Sequence, residues 1–149
     1  MADKRPSTTL LWLTIVAAPA ALGLETGLRL LLFPAEFELV RELLNPYLTV
    51  VAWLVALVAG IGAAVGLVVQ RRVVRKRIAN LPEEANTLER RYQIAFGVFL
   101  LATAIPQIPS IVATFCFMFG ASIVPVLVAI LLTSVGVVGQ ALAVPKLAS

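Results

Sequence analysis

The chain has 149 residues, of which 60% are hydrophobic and only 13% are charged. A soluble domain is about half apolar and about a quarter charged, so this composition predicts an integral membrane protein. No segment alternates as a barrel strand does, and we therefore expect an all-α bundle. The basic residues that give the net charge of +4 lie beside the apolar runs, which favours anionic lipid headgroups over nucleic acid as their partner.

Four apolar runs predict four transmembrane helices, at about 8–33, 47–69, 94–119 and 121–144, within a single membrane domain. Ten of the twelve Lys and Arg residues lie at the N-terminus, between the second and third runs, or after the fourth run. Because cytoplasmic loops are enriched in Lys and Arg, we expect both termini to be cytoplasmic, in a cytoplasmic membrane of bacterial type.

The first run allows two interpretations. A basic N-terminus, a short apolar stretch and Ala-Pro-Ala at 18–20 resemble a signal peptide cleaved near Ala20, whereas apolar residues that continue to Phe33 favour an uncleaved span. Glu25 and Arg29 are the charges inside this run, four residues apart, so they can form an ion pair along one helix. Intramembrane charge suggests a functional site, and anchoring near the interface is the alternative.

Residues 35–45 predict a short amphipathic helix between the first two spans. Its apolar and polar residues separate onto two faces, which is typical of a helix lying in the membrane interface. Pro46 is expected to end it, because proline lacks the N–H that a continuing helix needs.

Small residues in the second run predict close packing against another helix, because they allow two backbones to approach. They follow at four-residue spacing or stand beside that row: Ala52, Ala56, Gly60, Gly62, Ala64 and Gly66.

The stretch 70–92 is strongly basic and is expected to form a cytoplasmic helical hairpin. The second helix should continue to about Ala79, and Asn80 followed by Glu83 resembles the N-cap of a third helix that starts near Leu81. Five cations at the start of the hairpin would contact anionic lipid or a soluble partner: Arg71, Arg72, Arg75, Lys76 and Arg77.

Polar residues of the third and fourth runs predict a pore or substrate path. Pro106 and Pro109 should interrupt the third helix and free carbonyl groups at mid-membrane. The other path residues fall on one face of each helix: Thr103, Gln107, Ser110, Thr114, Thr133 and Gln140. The alternative is that these side chains only hydrogen-bond between packed helices.

A local resemblance supports close packing. The glycine-rich second run, residues 78–83 and the Ala104-Ile105-Pro106 segment look like the helical hairpin of the rotary ATP synthase proteolipid, over less than half of the chain. In that family a carboxylate in the outer helix carries the proton, whereas Leu100, Thr103 and their neighbours include no acid here. The resemblance therefore implies packing and not proton carriage.

The sequence contains no catalytic motif, no histidine and a single cysteine, so we expect no enzyme activity, no cofactor and no metal site. The preferred hypothesis is a channel or carrier subunit for an ion or small solute, as a homo-oligomer or within a larger membrane complex. The alternative is a non-transporting accessory or assembly subunit that docks a partner through the basic hairpin.

Overall fold

The computed structural model describes residues 16–17, 20–21, 23–28, 31 and 36–148, and every regular element in this part of the chain is a helix. The three long ones are α1 (Glu36–Ala79), α2 (Leu88–Met118) and α3 (Ile123–Ala148), and a 3-10 helix (Glu83–Ala85) lies between α1 and α2. By length and composition, all three long helices could cross a membrane. The span predicted at 8–33 lies largely outside the described residues, although 23–28 are helical.

Each long helix packs against the other two. Contacts along their lengths show that α1 and α3 are parallel and that α2 is antiparallel to both. Asn45 near the start of α1 donates to the carbonyl of Gly120, just before α3 begins, and Gln70 further along α1 donates to that of Gln140. We call the end of the bundle with the α2–α3 connection the turn end. The opposite end, with the α1–α2 connection, is the basic end.

Three apolar clusters hold the helices together, and the smallest contains Ala52, Cys116 and Ala121. The turn-end cluster contains Ala56, Ala59, Ala113, Phe117, Val126, Ala129 and Ile130. The basic-end cluster contains Val74, Ala95, Val98, Phe99, Val137, Ala141, Val144 and Ala148. Four of the seven residues in the turn-end cluster are alanine, which is consistent with helix backbones that approach closely.

Helix α1 continues through Pro46, so the prediction that Pro46 ends a separate helix at 35–45 is wrong. A proline inside a helix removes one hydrogen bond and costs roughly 3 kcal/mol. Tertiary contacts offset this cost, because side chains on both sides of Pro46 bind the α2–α3 connection. Asn45 Nδ2 donates to Gly120 O over 2.7 Å, and Thr49 Oγ1 accepts from Ser122 N over 2.9 Å.

The connection at the basic end differs from the prediction in where α2 starts. Helix α1 ends at Ala79, the predicted residue, but α2 begins at Leu88 rather than near Leu81. Its N-cap is Thr87 and not Asn80, since Thr87 Oγ1 accepts from the backbone N–H of Arg90 over 3.3 Å. Near Leu81, where the sequence predicts the start of α2, the chain forms only the short 3-10 helix Glu83–Ala85.

Candidate functional site

A group of buried polar side chains lies in the core beside the apolar clusters, and we call it the polar layer. Its members come from all three long helices and are at most 3% exposed: Gln70, Thr103, Thr133 and Gln140. The last three belong to the predicted path. Gln70 is the first residue of the predicted basic hairpin, whereas the structure buries it in the core of the bundle.

The two glutamines of the polar layer are in direct contact. Gln70 Nε2 donates to the backbone carbonyl of Gln140 over 3.0 Å. Both side chains are completely buried. Among the described residues, Gln70 Oε1 and both polar atoms of the Gln140 amide have no hydrogen-bond partner. A buried polar atom without a partner costs about 1–3 kcal/mol, so this pair destabilises the bundle unless another molecule completes its hydrogen bonds.

Helix α2 is continuous through Pro106 and Pro109, so the prolines do not interrupt it as predicted. Each proline still lacks the N–H that would bond to the carbonyl four residues earlier. The carbonyls left without this donor are those of Ala102 and Ile105.

These two carbonyls face glycines of α1. A Cβ added to Gly62 would stand 3.2 Å from Ile105 O, and one added to Gly66 would stand 3.1 Å from Ala102 O. The prolines and glycines thus meet at one level of the bundle, where the α1 and α2 backbones are in close contact. The spacing of the prolines in α2 and of the glycines in α1 is visible in the sequence. Which carbonyl faces which glycine depends on the register between the two helices.

Three threonine hydroxyls donate to carbonyls other than those of Ala102 and Ile105. The bonds are Thr103 Oγ1 to Leu100 O (2.9 Å), Thr114 Oγ1 to Ser110 O (3.0 Å) and Thr133 Oγ1 to Pro106 O (3.0 Å). Only the last bond joins two helices, so Thr133 ties α3 to the proline-containing part of α2.

The residues predicted for the path separate into two groups. Five are buried: Thr103, Pro106, Ser110, Thr133 and Gln140. Three are half-buried: Gln107, Pro109 and Thr114. The structure brings Thr133 to Pro106, and it brings Gln140 to the level of Ala102 through their shared contact with Gly66. Thr114 lies apart, towards the first apolar run.

Glu25 and Thr114 line one small cavity between the first apolar run and α2. The cavity has a volume of about 170 Å³, and its other walls are Ala21, Ile111 and Phe115. Glu25 is half-buried there. Arg29, the predicted ion-pair partner of Glu25, lies outside the described residues.

The predicted small-residue face of α1 is only partly in contact with other helices. Ala52, Ala56, Gly62 and Gly66 are buried, Gly60 is half-buried and Ala64 is exposed. Four residues advance an α-helix by about 40° more than a full turn, so a row at this spacing rotates away from the contact. Ala64 therefore does not belong to the face that packs against the other described helices.

A second polar site, not predicted, lies at the turn end. Arg41 is only 5% exposed although it is charged. Its Nη2 donates to Phe117 O over 3.1 Å, and its Nη1 pairs with Glu38 over 3.3 Å. An open cavity of about 520 Å³ adjoins it, lined also by Glu42 and Asn45. The polar face predicted to contact the membrane interface therefore contacts the α2–α3 connection.

Arg41 should contribute substantially to stability. We expect Arg41→Met to lower the free energy of unfolding by about 2 kcal/mol, because methionine keeps apolar contacts but donates to neither Phe117 O nor Glu38. Thermal unfolding in detergent, followed by circular dichroism, would measure this. The matched control is Arg72→Met, the same substitution at an exposed site of α1, which should change stability little. Equal losses in the two variants would contradict the assigned role of Arg41.

The cations predicted to contact lipid or a partner lie on the outer surface of α1. Arg71, Arg72, Arg75, Lys76 and Arg77 are all exposed. On the same segment Gln70 and Val74 are buried against the other helices. The basic face therefore points away from the bundle.

The described residues contain no group of three or more His, Cys, Asp or Glu side chains that could hold a metal ion. Comparison with protein-family models, curated proteins and solved structures finds no match to this chain. The functional interpretation therefore depends on the chemistry of the polar layer and of the basic surface.

Proposed function

We propose that the protein is a four-span integral membrane protein, in which the first apolar run joins α1, α2 and α3, with both termini on the side of the basic connection. The apolar exterior of the bundle supports this proposal, since large exposed apolar surfaces mark contact with lipid or protein. Exposed residues come from every long helix: Leu54, Leu57, Leu101, Ile108, Leu131 and Val135.

The basic residues should determine the orientation. We expect replacement of Arg71, Arg72, Arg75, Lys76 and Arg77 by Ser to give mixed topologies, because Lys and Arg near span ends hold a loop in the cytoplasm. Reporter fusions to the connection and to the C-terminus would measure this. As a control, replacing Glu83, Glu84 and Glu89 by Ser should leave the orientation unchanged, since acidic residues contribute little. A uniform wild-type orientation of the first variant would contradict the prediction.

Within this architecture, we propose that the protein is a channel or carrier subunit for an ion or small solute. The Gln70–Gln140 pair carries the proposal, because it places hydrogen-bonding atoms that have no partner among the described residues in the core of the bundle. Polar groups at such depth are expensive in a membrane and are typical of substrate pathways. Ala102 O, without its intrahelical donor, lies beside the same pair.

Flux through purified protein in liposomes tests the transport proposal. We expect solute flux above that of empty liposomes, and we expect Gln140→Leu to reduce it. Gln93→Leu is the matched control, since Gln93 is an exposed glutamine at the basic end. If no ion and no small solute passes through the wild-type protein, the proposal is wrong.

The exposed basic face supports a second candidate function, that of an accessory subunit that binds a soluble partner. Five cations point away from the bundle on a segment whose opposite side is buried. Purification in mild detergent tests this function. A partner that copurifies with the wild-type protein but not with the Ser-substituted variant would support it, whereas extraction of the protein as a free species would exclude it.

A further inference from the structure

The hydrogen-bonding atoms of Gln70 and Gln140 indicate what kind of molecule the polar layer binds. Gln70 uses one N–H for the backbone carbonyl of Gln140. Two acceptors, Gln70 Oε1 and Gln140 Oε1, and one donor, Gln140 Nε2, have no partner among the described residues. Exchanging the oxygen and nitrogen of the Gln140 amide leaves one of each, so this set does not depend on how that amide is oriented.

A mixed set of this kind favours a neutral molecule. A cation would satisfy the two oxygens but would face the N–H dipole of Gln140 with the wrong sign, and an anion would face the oxygens with the wrong sign. A neutral molecule that both donates and accepts can pair with acceptors and with a donor alike, and buried water typically makes about three such bonds. We propose that Gln70 and Gln140 bind a small neutral hydrogen-bonding molecule, of which water is the smallest and urea a larger example. This inference rests on the proposed transport function and names its solute class.

The surroundings of the pair fit this assignment. Gly66 contacts the Gln140 amide, and a Cβ at this position would collide with Nε2. The same Cβ would stand 3.1 Å from Ala102 O, which lacks its intrahelical donor because residue 106 is a proline. The absence of a side chain at Gly66 therefore lets the Gln140 amide pack directly against α1, close to a further acceptor, Ala102 O.

Occupancy of the site can be tested on the wild-type protein. The protein would be labelled at its glutamine side-chain amides and placed in lipid nanodiscs for NMR. We expect a nuclear Overhauser effect between water and the side-chain N–H protons of Gln140. The sign of this effect distinguishes dipolar contact with bound water from chemical exchange. Gln93 is exposed and serves as the positive control for hydration. Since Gln140 is completely buried, water can contact it only inside the bundle. A contact at Gln93 without one at Gln140 overturns the proposed water site.

The solute class can be tested by flux. We expect liposomes that contain the protein to shrink faster in an osmotic gradient, or to take up urea faster, than empty liposomes. Gln140→Met and Gln70→Met should reduce that rate several-fold, and Gln93→Met should not. Circular dichroism shows whether each variant is folded, and only folded variants enter the comparison.

The outcomes distinguish this inference from the transport function. Passage of potassium or chloride without water or urea overturns the neutral-solute assignment and leaves the transport function standing. If nothing passes, the transport function and the solute assignment both fail, and the contact between water and Gln140 decides whether the pair binds water.

Discussion

Gly120→Ala is expected to destabilise the protein by about 3 kcal/mol or more, because two independent costs add at this position. Gly120 has φ of +120°, a conformation that residues with a side chain rarely adopt. A Cβ there would stand 2.5 Å from Arg41 O and 3.0 Å from Arg41 Cα. Both neighbours are backbone atoms of α1, so a rotamer change cannot relieve the collision.

The role of Gly120 in ending α2 explains why its conformation is fixed. The N–H of Gly120 donates to Phe117 O over 3.0 Å, and that of Ala121 donates to Cys116 O over 2.9 Å. This pair of bonds is the Schellman motif, which requires a left-handed residue after the helix. The carbonyl of Gly120 also accepts from Asn45. A substitution would therefore disturb the helix end and its attachment to α1 together.

Thermal unfolding in detergent, followed by circular dichroism, would measure the effect. Gly139→Ala is the matched control, since a Cβ there meets nothing within 4 Å and the position is inside a helix. Alanine should stabilise that position by about 0.5–1 kcal/mol relative to glycine. Similar unfolding temperatures for the two variants would contradict the proposed packing of the turn end.

Much of the fold could be predicted from the sequence, because long apolar runs bounded by polar stretches identify membrane-length helices. The three described long helices overlap the three corresponding runs to within two residues, and α1 ends at Ala79 as expected. The course of the chain through Pro46 could not be predicted. Local propensity favours a break at proline, whereas the contacts of Asn45 and Thr49 that favour continuity involve residues more than seventy positions away.

The candidate site could be predicted only in part, for a related reason. Polarity within an apolar run identifies Thr133 and Gln140 as unusual, and both are buried in the polar layer. Gln70 is the first residue of the predicted basic hairpin, and nothing local separates it from the arginines that follow. Its position opposite Gln140 depends on the register between α1 and α3. The spacing of residues along a single helix does not determine that register.

Gly136→Ala is expected to be the most damaging substitution inside the helical part of the bundle. A Cβ at Gly136 would stand 2.5 Å from Ala63 Cβ and 3.1 Å from Ala63 Cα, so α1 and α3 would have to move apart. Overpacking of this kind costs about 1–3 kcal/mol, and we expect a value near the upper limit because the obstacle lies on a helix. Unfolding in detergent would measure the loss.

The matched test exchanges the two residues. Ala63→Gly removes the Cβ that the new alanine would meet, so the double variant Ala63→Gly, Gly136→Ala should be more stable than Gly136→Ala alone. Ala63→Gly by itself should cost about 1 kcal/mol, since glycine is a poor helix former and leaves a small gap. A coupling free energy of about 2 kcal/mol between the two sites would locate the contact between α1 and α3 at this pair. Additive effects would show that these helices meet in another register, which would also separate Gln70 from Gln140.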